Sequence, residues 1–131
     1  MAVILIMDDK PDVRNRFAEE LALEGHTVFS LGNPVSINQV ILCSQPDLII
    51  VDPFLGGNHR WDLLTEIKQR NPHLPIIILT SFDSYRQEPH LRLATALLIK
   101  SFCFDDLKNK IGEILGKKDG KMRNPTQDRR A

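Results

Sequence analysis

Apolar positions along the chain fall into two rhythms. Residues 2–7, 27–31, 47–51, 75–79 and 96–99 form short runs that are continuously apolar or rich in β-branched and aromatic side chains. A run that does not alternate reads as a strand buried on both faces. Between these runs apolar residues recur three or four apart, as on one face of a helix. Val13, Phe17, Leu21 and Leu23 make the first such stripe, opened by Pro11 and closed by Gly25. Ile37, Val40 and Ile41 make a second, behind Asn33-Pro34 as cap and first turn. Leu63, Leu64 and Ile67 point inward from a third helix over 61–70, after a glycine-containing loop over 53–60. Leu107, Ile111, Ile114 and Leu115 share a face of a last helix over 105–115, with Gly116 just past its end. Pro89 interrupts the segment 81–95, which predicts only a short helix over 89–94.

Strands alternating with helices imply an α/β fold of parallel strands joined by right-handed crossovers. Five such units fit an open, doubly wound sheet with helices on both faces. Ligands then bind beyond the carboxyl ends of the strands, where strand order reverses. The residues that follow the runs are Asp8 and Asp9, Asp52, Thr80 and Ser81, and Lys100. Each alone has an ordinary explanation: an aspartate as a helix cap, a threonine by strand propensity, a lysine as a solvated charge. Together they put three carboxylates, a hydroxyl and an ammonium on one edge, which folding alone does not require. Two carboxylates about 4 Å apart repel by roughly 4 kcal/mol at an effective dielectric near 20. Three must therefore protonate or recruit a cation, and one lysine does not neutralise them. With oxygen ligands only, that cation is Mg²⁺, or Mn²⁺ in its place. Carboxylate, metal, ammonium and hydroxyl together are equipped for attack on phosphorus.

Residues 3–9 (VILIMDD), 47–52 (DLIIVD), 75–81 (PIIILTS) and 97–100 (LLIK) resemble, in order and spacing, the receiver domain of two-component response regulators. The resemblance covers about residues 2–116 and implies a flavodoxin-like sheet of order 2-1-3-4-5. It implies that Asp52 is the phosphoacceptor, taking a phosphoryl group from a histidine kinase or phosphotransfer protein. It also implies that Asp9 binds Mg²⁺ directly, Asp8 mainly through water, and the Phe54 backbone carbonyl completes the ligands. Lys100 and Thr80 would contact the phosphoryl group, with the Ser81 amide nearby. Output would pass by contact to a downstream protein, the receiver catalysing only its own phosphorylation and dephosphorylation. The alternative is a degenerate receiver that binds partners without phosphorylation. A metal-dependent phosphatase of similar topology would want a second acid where Phe54 stands, and a flavin domain a phosphate loop where residues 8–11 read DDKP.

Several positions depart from the family's pattern. Gly56, followed by Gly57, replaces the usual proline four residues after the phosphoacceptor and predicts a looser loop. Pro53 offers no N–H. Ser101 follows Lys100 where the family has a cis proline, which predicts a trans bond here. Leu97 stands where the family has Tyr or Phe, so the relay face between the fourth and fifth helices is expected to be altered. Phe54 and Phe82 flank the site, as loop packing or as a shield for the acyl phosphate. His59 is expected to be exposed, and Trp61 to anchor the third helix.

Composition bounds the rest. The 131 residues are 42% hydrophobic, enough for one core and too apolar for disorder. Of 17 basic and 17 acidic residues, 11 and 15 lie in the first 116, which leaves that part at −4 and residues 117–131 at +4. An acidic body has no broad footprint for nucleic acid. We therefore expect a receiver over 1–116 and a flexible basic tail over 117–131, with no output domain after it. No apolar run approaches the roughly 20 residues that span a bilayer. The two cysteines, Cys43 and Cys103, make no disulfide framework. The expected setting is the cytoplasm, as a monomer or weak homodimer without direct nucleic-acid or membrane contact.

Overall fold

The computed structural model describes residues 1–100 and 104–122, the last six of these as backbone only. In chain order the elements are β1 (Val3–Met7), α1 (Pro11–Leu23), β2 (Thr27–Leu31), α2 (Ile37–Ser44), β3 (Leu48–Val51), β4 (Phe54–Leu55), β5 (Asn58–His59), α3 (Trp61–Arg70), β6 (Ile76–Thr80), β7 (Ala96–Ile99) and α4 (Phe104–Met122). Two 3₁₀ turns, Asp83–Gln87 and Pro89–Leu93, lie between β6 and β7. The sheet and helices α1–α3 belong to one compact unit, Met1–Ser101, and α4 to a second.

Five strands pair in the order β2-β1-β3-β6-β7, every pair parallel. With the small β4–β5 hairpin set aside, this is the expected 2-1-3-4-5 order. The continuous apolar runs of β1, β3 and β6 are buried on both faces, whereas β7 at the sheet edge is half-buried. On one face Leu5, Met7, Ile49, Val51, Ile76 and Ile78 form a single cluster with Ile37 and Ile41 of α2, Leu63, Leu64 and Ile67 of α3, and Tyr85. The alternate residues Ile4, Ile6, Leu48, Ile50, Ile77 and Leu79 are buried as well. Strand β2 has one neighbour only, and Phe29 on it is 43% exposed.

Local differences from the sequence reading have physical reasons. Leu21 is buried but Leu23 is exposed, because two residues along a helix turn the side chain to the opposite side. Asn33 accepts the Val35 N–H through Oδ1 at 3.1 Å, a turn of its own, and α2 begins only at Ile37. The segment around Pro89 takes two 3₁₀ turns instead of one short helix, the second capped by Glu88 accepting the His90 N–H at 3.1 Å. Gly116 does not end the last helix, which continues to Met122; Leu107 and Ile111 are its buried positions. The loop after Asp52 is a hairpin and not a loose connection. Gly56 and Gly57 both have positive φ, 58° and 80°, as a two-residue type I′ turn requires. The predicted trans bond at Ser101 lies outside the described residues; of the tail expected to be flexible, residues 117–122 continue the backbone of α4 and residues 123–131 lie outside the described residues.

Candidate functional site

Main-chain bonds carry the ladder one step past each strand and so fix the site. The Asp8 N–H reaches the Leu31 carbonyl at 3.1 Å, Asp52 N–H the Met7 carbonyl at 2.9 Å, and Lys100 N–H the Thr80 carbonyl at 2.6 Å. Because the strands are parallel and in register, these residues converge on one edge. Asp8, Asp52 and Thr80 are the buried polar side chains of the described residues.

The Lys100 ammonium donates to Asp8 Oδ2 and to Asp52 Oδ2, both at 2.7 Å. Charge-assisted bonds of this length are the strong kind. Asp8 Oδ1 also accepts the Lys10 N–H at 3.0 Å, and Asp52 Oδ1 the Phe54 N–H at 3.0 Å. Burial would push the Lys100 ammonium toward the neutral form, but the bonds to Asp52 and Asp8 outweigh it and hold its pKa above the usual lysine value. Thr80 Oγ1 accepts the Phe82 N–H at 3.2 Å, which leaves the hydroxyl proton free to donate.

Asp9 is placed differently. Its Oδ2 accepts the Gly56 N–H at 2.8 Å and its Oδ1 the Lys10 ammonium at 3.4 Å. Burial raises its pKa, yet the Gly56 N–H and the Lys10 charge bring it below the ordinary carboxylate value. Lys10 Nζ also lies 4.0 Å from Asp52 Oδ2, so it links Asp9 to the triad of Asp8, Asp52 and Lys100. Among the described residues no three acidic, histidine or cysteine side chains are gathered as for a metal ion. The donor set nonetheless fits Mg²⁺ in kind: three carboxylates, all oxygen, two of them buried around one shared ammonium.

Sequence reasoning missed several groups. Lys10 follows the acidic pair and supplies the second ammonium. Arg14 donates to the Asp8 carbonyl at 2.7 Å, and its guanidinium lies where a side chain on Gly32 would stand, 2.7 Å from an added Cβ. Phe54 and Phe82 do flank the site, with ring centroids 5.0 Å apart. His59 is exposed, but its Nδ1 lies 2.5 Å from the Tyr85 hydroxyl. Trp61 heads α3 with its ring 4.5 Å from that of Tyr85.

A doubly wound parallel sheet with buried acids and a lysine at its carboxyl edge defines a class of signalling domain. The sequence matches the response regulator receiver domain over residues 4–112, and the chain belongs to that family. It is 27% identical over 127 residues to the DNA-binding transcriptional regulator NtrC of Bradyrhizobium sp. (strain RP501 Parasponia), a match that covers 95% of this chain and 26% of that protein. The chain thus spans about a quarter of the length of that curated relative. Among solved structures, response regulator TrrA from Thermotoga maritima in complex with Mg²⁺-BeF superposes with a TM-score of 0.81 at 31% identity, covering 87% of this chain and 99% of that one. TrrA in complex with the histidine kinase ThkA superposes with a TM-score of 0.80 at 31% identity, covering 88% and 99%. Receivers of this family are signalling switches and not conventional enzymes. No described helix is long and apolar enough to cross a membrane.

Proposed function

We propose that this chain is the phosphorylatable switch of a two-component phosphorelay, with Asp52 as its phosphoacceptor. The observation that carries the reading is the Lys100 ammonium at 2.7 Å from both Asp8 and Asp52, at the carboxyl end of the central strand. The donor is a histidine kinase or phosphotransfer protein, as the ThkA complex of the similar TrrA suggests. A carboxylate oxygen of Asp52 forms the new P–O bond as the P–N bond of a phosphohistidine breaks and its electron pair returns to the imidazole. Lys100 is already in contact with the accepting carboxylate and neutralises charge on the incoming phosphoryl oxygens. Thr80, with a free hydroxyl proton, donates to the same group, and the Ser81 amide follows it in the chain. Asp8, Asp9, Asp52 and the Phe54 carbonyl would hold Mg²⁺, or Mn²⁺ in its place. When bound, the ion supplies the positive charge that lets an anionic donor approach an anionic acceptor.

We assign the receiver to residues 1–116 and a basic tail to 117–131. Output passes by protein contact, in the cytoplasm, from a monomer or weak homodimer without direct nucleic-acid or membrane binding. A degenerate receiver, working without phosphorylation, is favoured by one observation only: Asp9 is turned to Gly56 and Lys10. Incubation with acetyl phosphate and Mg²⁺, read by intact mass, separates the two. A labile phosphate on wild type that is absent from Asp52→Ala supports the switch; no gain on wild type leaves the degenerate reading.

A further inference from the structure

Six aromatic rings meet beside the candidate phosphoacceptor, contributed by two loops and the start of α3. Phe54 and His59 come from the hairpin after Asp52, and Phe82 and Tyr85 from the segment after Thr80. Across the gap Phe54 lies 5.0 Å from Phe82, and His59 lies 5.3 Å from Phe82 and 5.4 Å from Tyr85. Trp61 packs on Tyr85 at 4.5 Å and stacks on His90 at 5.9 Å. One hydrogen bond joins the two loops within this cluster, between His59 Nδ1 and the Tyr85 hydroxyl at 2.5 Å.

The bond closes a circuit. The Phe54 N–H is held by Asp52, and the Phe82 N–H by Thr80. Each loop therefore starts on a residue of the site and ends at one partner of the His59–Tyr85 bond. Tyr85 is buried, and it is the one tyrosine of the sequence. Leu97, which packs against the same core, has no polar atom that could serve instead. We propose that Tyr85 is a positioning residue: its hydroxyl, bonded to His59, clamps the hairpin after Asp52 to the segment after Thr80 and holds both closed over the phosphoacceptor.

This inference rests on the reading of Asp52 as the phosphoacceptor. In a clamped cluster Phe54 and Phe82 stay together, and water has restricted access to the acyl phosphate. Opening the clamp lets a water oxygen attack phosphorus. The P–O bond to Asp52 then breaks, inorganic phosphate leaves, and the carboxylate is regenerated. The clamp also makes Trp61 a reporter, because the ring of the single tryptophan rests on Tyr85.

The test uses the full chain, loaded with acetyl phosphate and Mg²⁺, with loss of phosphate followed by intact mass. Tyr85→Phe keeps the ring and removes the hydroxyl; His59→Phe keeps a ring and removes the nitrogen. Each single change is expected to shorten the phosphate lifetime by about fivefold, the size that loss of one hydrogen bond supplies. The double change should shorten it no further than either single one, the signature of a shared interaction. His59→Gln, which retains a hydrogen-bonding side chain, should recover most of the lifetime. On addition of Mg²⁺ and beryllium fluoride, the change in Trp61 emission should be smaller in both phenylalanine variants than in wild type. A merely structural role would lower the melting temperature of Tyr85→Phe without these effects. Wild-type lifetime in Tyr85→Phe, or additive effects in the double variant, would overturn the clamp while leaving the phosphoacceptor in place. If wild type gains no more phosphate than Asp52→Ala, the phosphoacceptor reading falls and the clamp with it.

Discussion

Lys100 serves two buried carboxylates with one ammonium, so its triad with Asp8 and Asp52 carries one negative charge in excess. The two ways of changing that charge have opposite consequences for stability. Lys100→Met leaves two buried acids without their cation, and loss of about 3 kcal/mol is expected, as when one partner of a buried pair is removed. Asp52→Asn removes the excess charge and leaves Asp8 paired with Lys100, so stability should change by less than about 1 kcal/mol or rise. Urea unfolding with an unchanged slope checks both. Tyr85 provides a second residue-level prediction, in pH. Burial first, then the negative charges of Asp52 and Glu88, push its hydroxyl up to about 12, against about 10 in an unfolded chain. A raised pKa stabilises the fold fully below the unfolded value, and that contribution is lost as pH rises from about 10 through about 12. Absorbance of the tyrosinate reports this residue alone. It should titrate near 12 in the folded protein and near 10 in urea, and Tyr85→Phe should flatten the alkaline loss of stability.

Two glycines with open space around them test how far each element depends on its backbone. Neither Gly57 nor Gly112 has an atom within 4 Å of an added Cβ, so packing does not decide either substitution. Gly57 has φ +80° in the hairpin turn, where an L side chain is strained, and Gly57→Ala should cost about 1 kcal/mol. Gly57→Asn should cost less, since asparagine tolerates this region. Gly112 lies inside α4, where glycine wastes conformational entropy, and Gly112→Ala should gain about 0.5–1 kcal/mol. Thermal melts read both signs. The elements also show what could be read in advance. The sheet strands, α1 and α3 were legible because non-alternating runs and three-four spacing each have one common solution. The hairpin was not, since a pair of glycines permits a loose loop as readily as a type I′ turn until the flanking residues are seen to pair. The end of α4 was misread because glycine marks a helix end only when it adopts a left-handed conformation; Gly116 has no such φ. Within the site, strand ends pointed to Asp8, Asp52, Thr80 and Lys100. Lys10 and the His59–Tyr85 bond escaped notice because their meeting depends on loop paths that no periodicity encodes.

Across the whole molecule, the first 116 residues carry a net charge of −4, and the acids of the site contribute to it. A divalent cation that binds the folded site and not the unfolded chain must stabilise the fold by mass action. At a free concentration one hundred times its dissociation constant the gain is about 2.7 kcal/mol. The midpoint of thermal unfolding should therefore climb with Mg²⁺ concentration, beyond the small rise from ionic strength that a matched sodium chloride series measures. Asp9 distinguishes the sources of that gain. Its carboxylate is engaged with the Gly56 N–H and the Lys10 ammonium, so binding the ion requires it to give up at least part of these contacts. Asp9→Asn should have nearly wild-type stability without Mg²⁺ and lose most of the Mg²⁺-dependent rise. Equal rises in wild type and Asp9→Asn would mean that Asp8 and Asp52 hold the ion without Asp9. A wild-type rise no greater than that in sodium chloride would mean that Lys100 and Lys10 already satisfy the acids and leave no cation site.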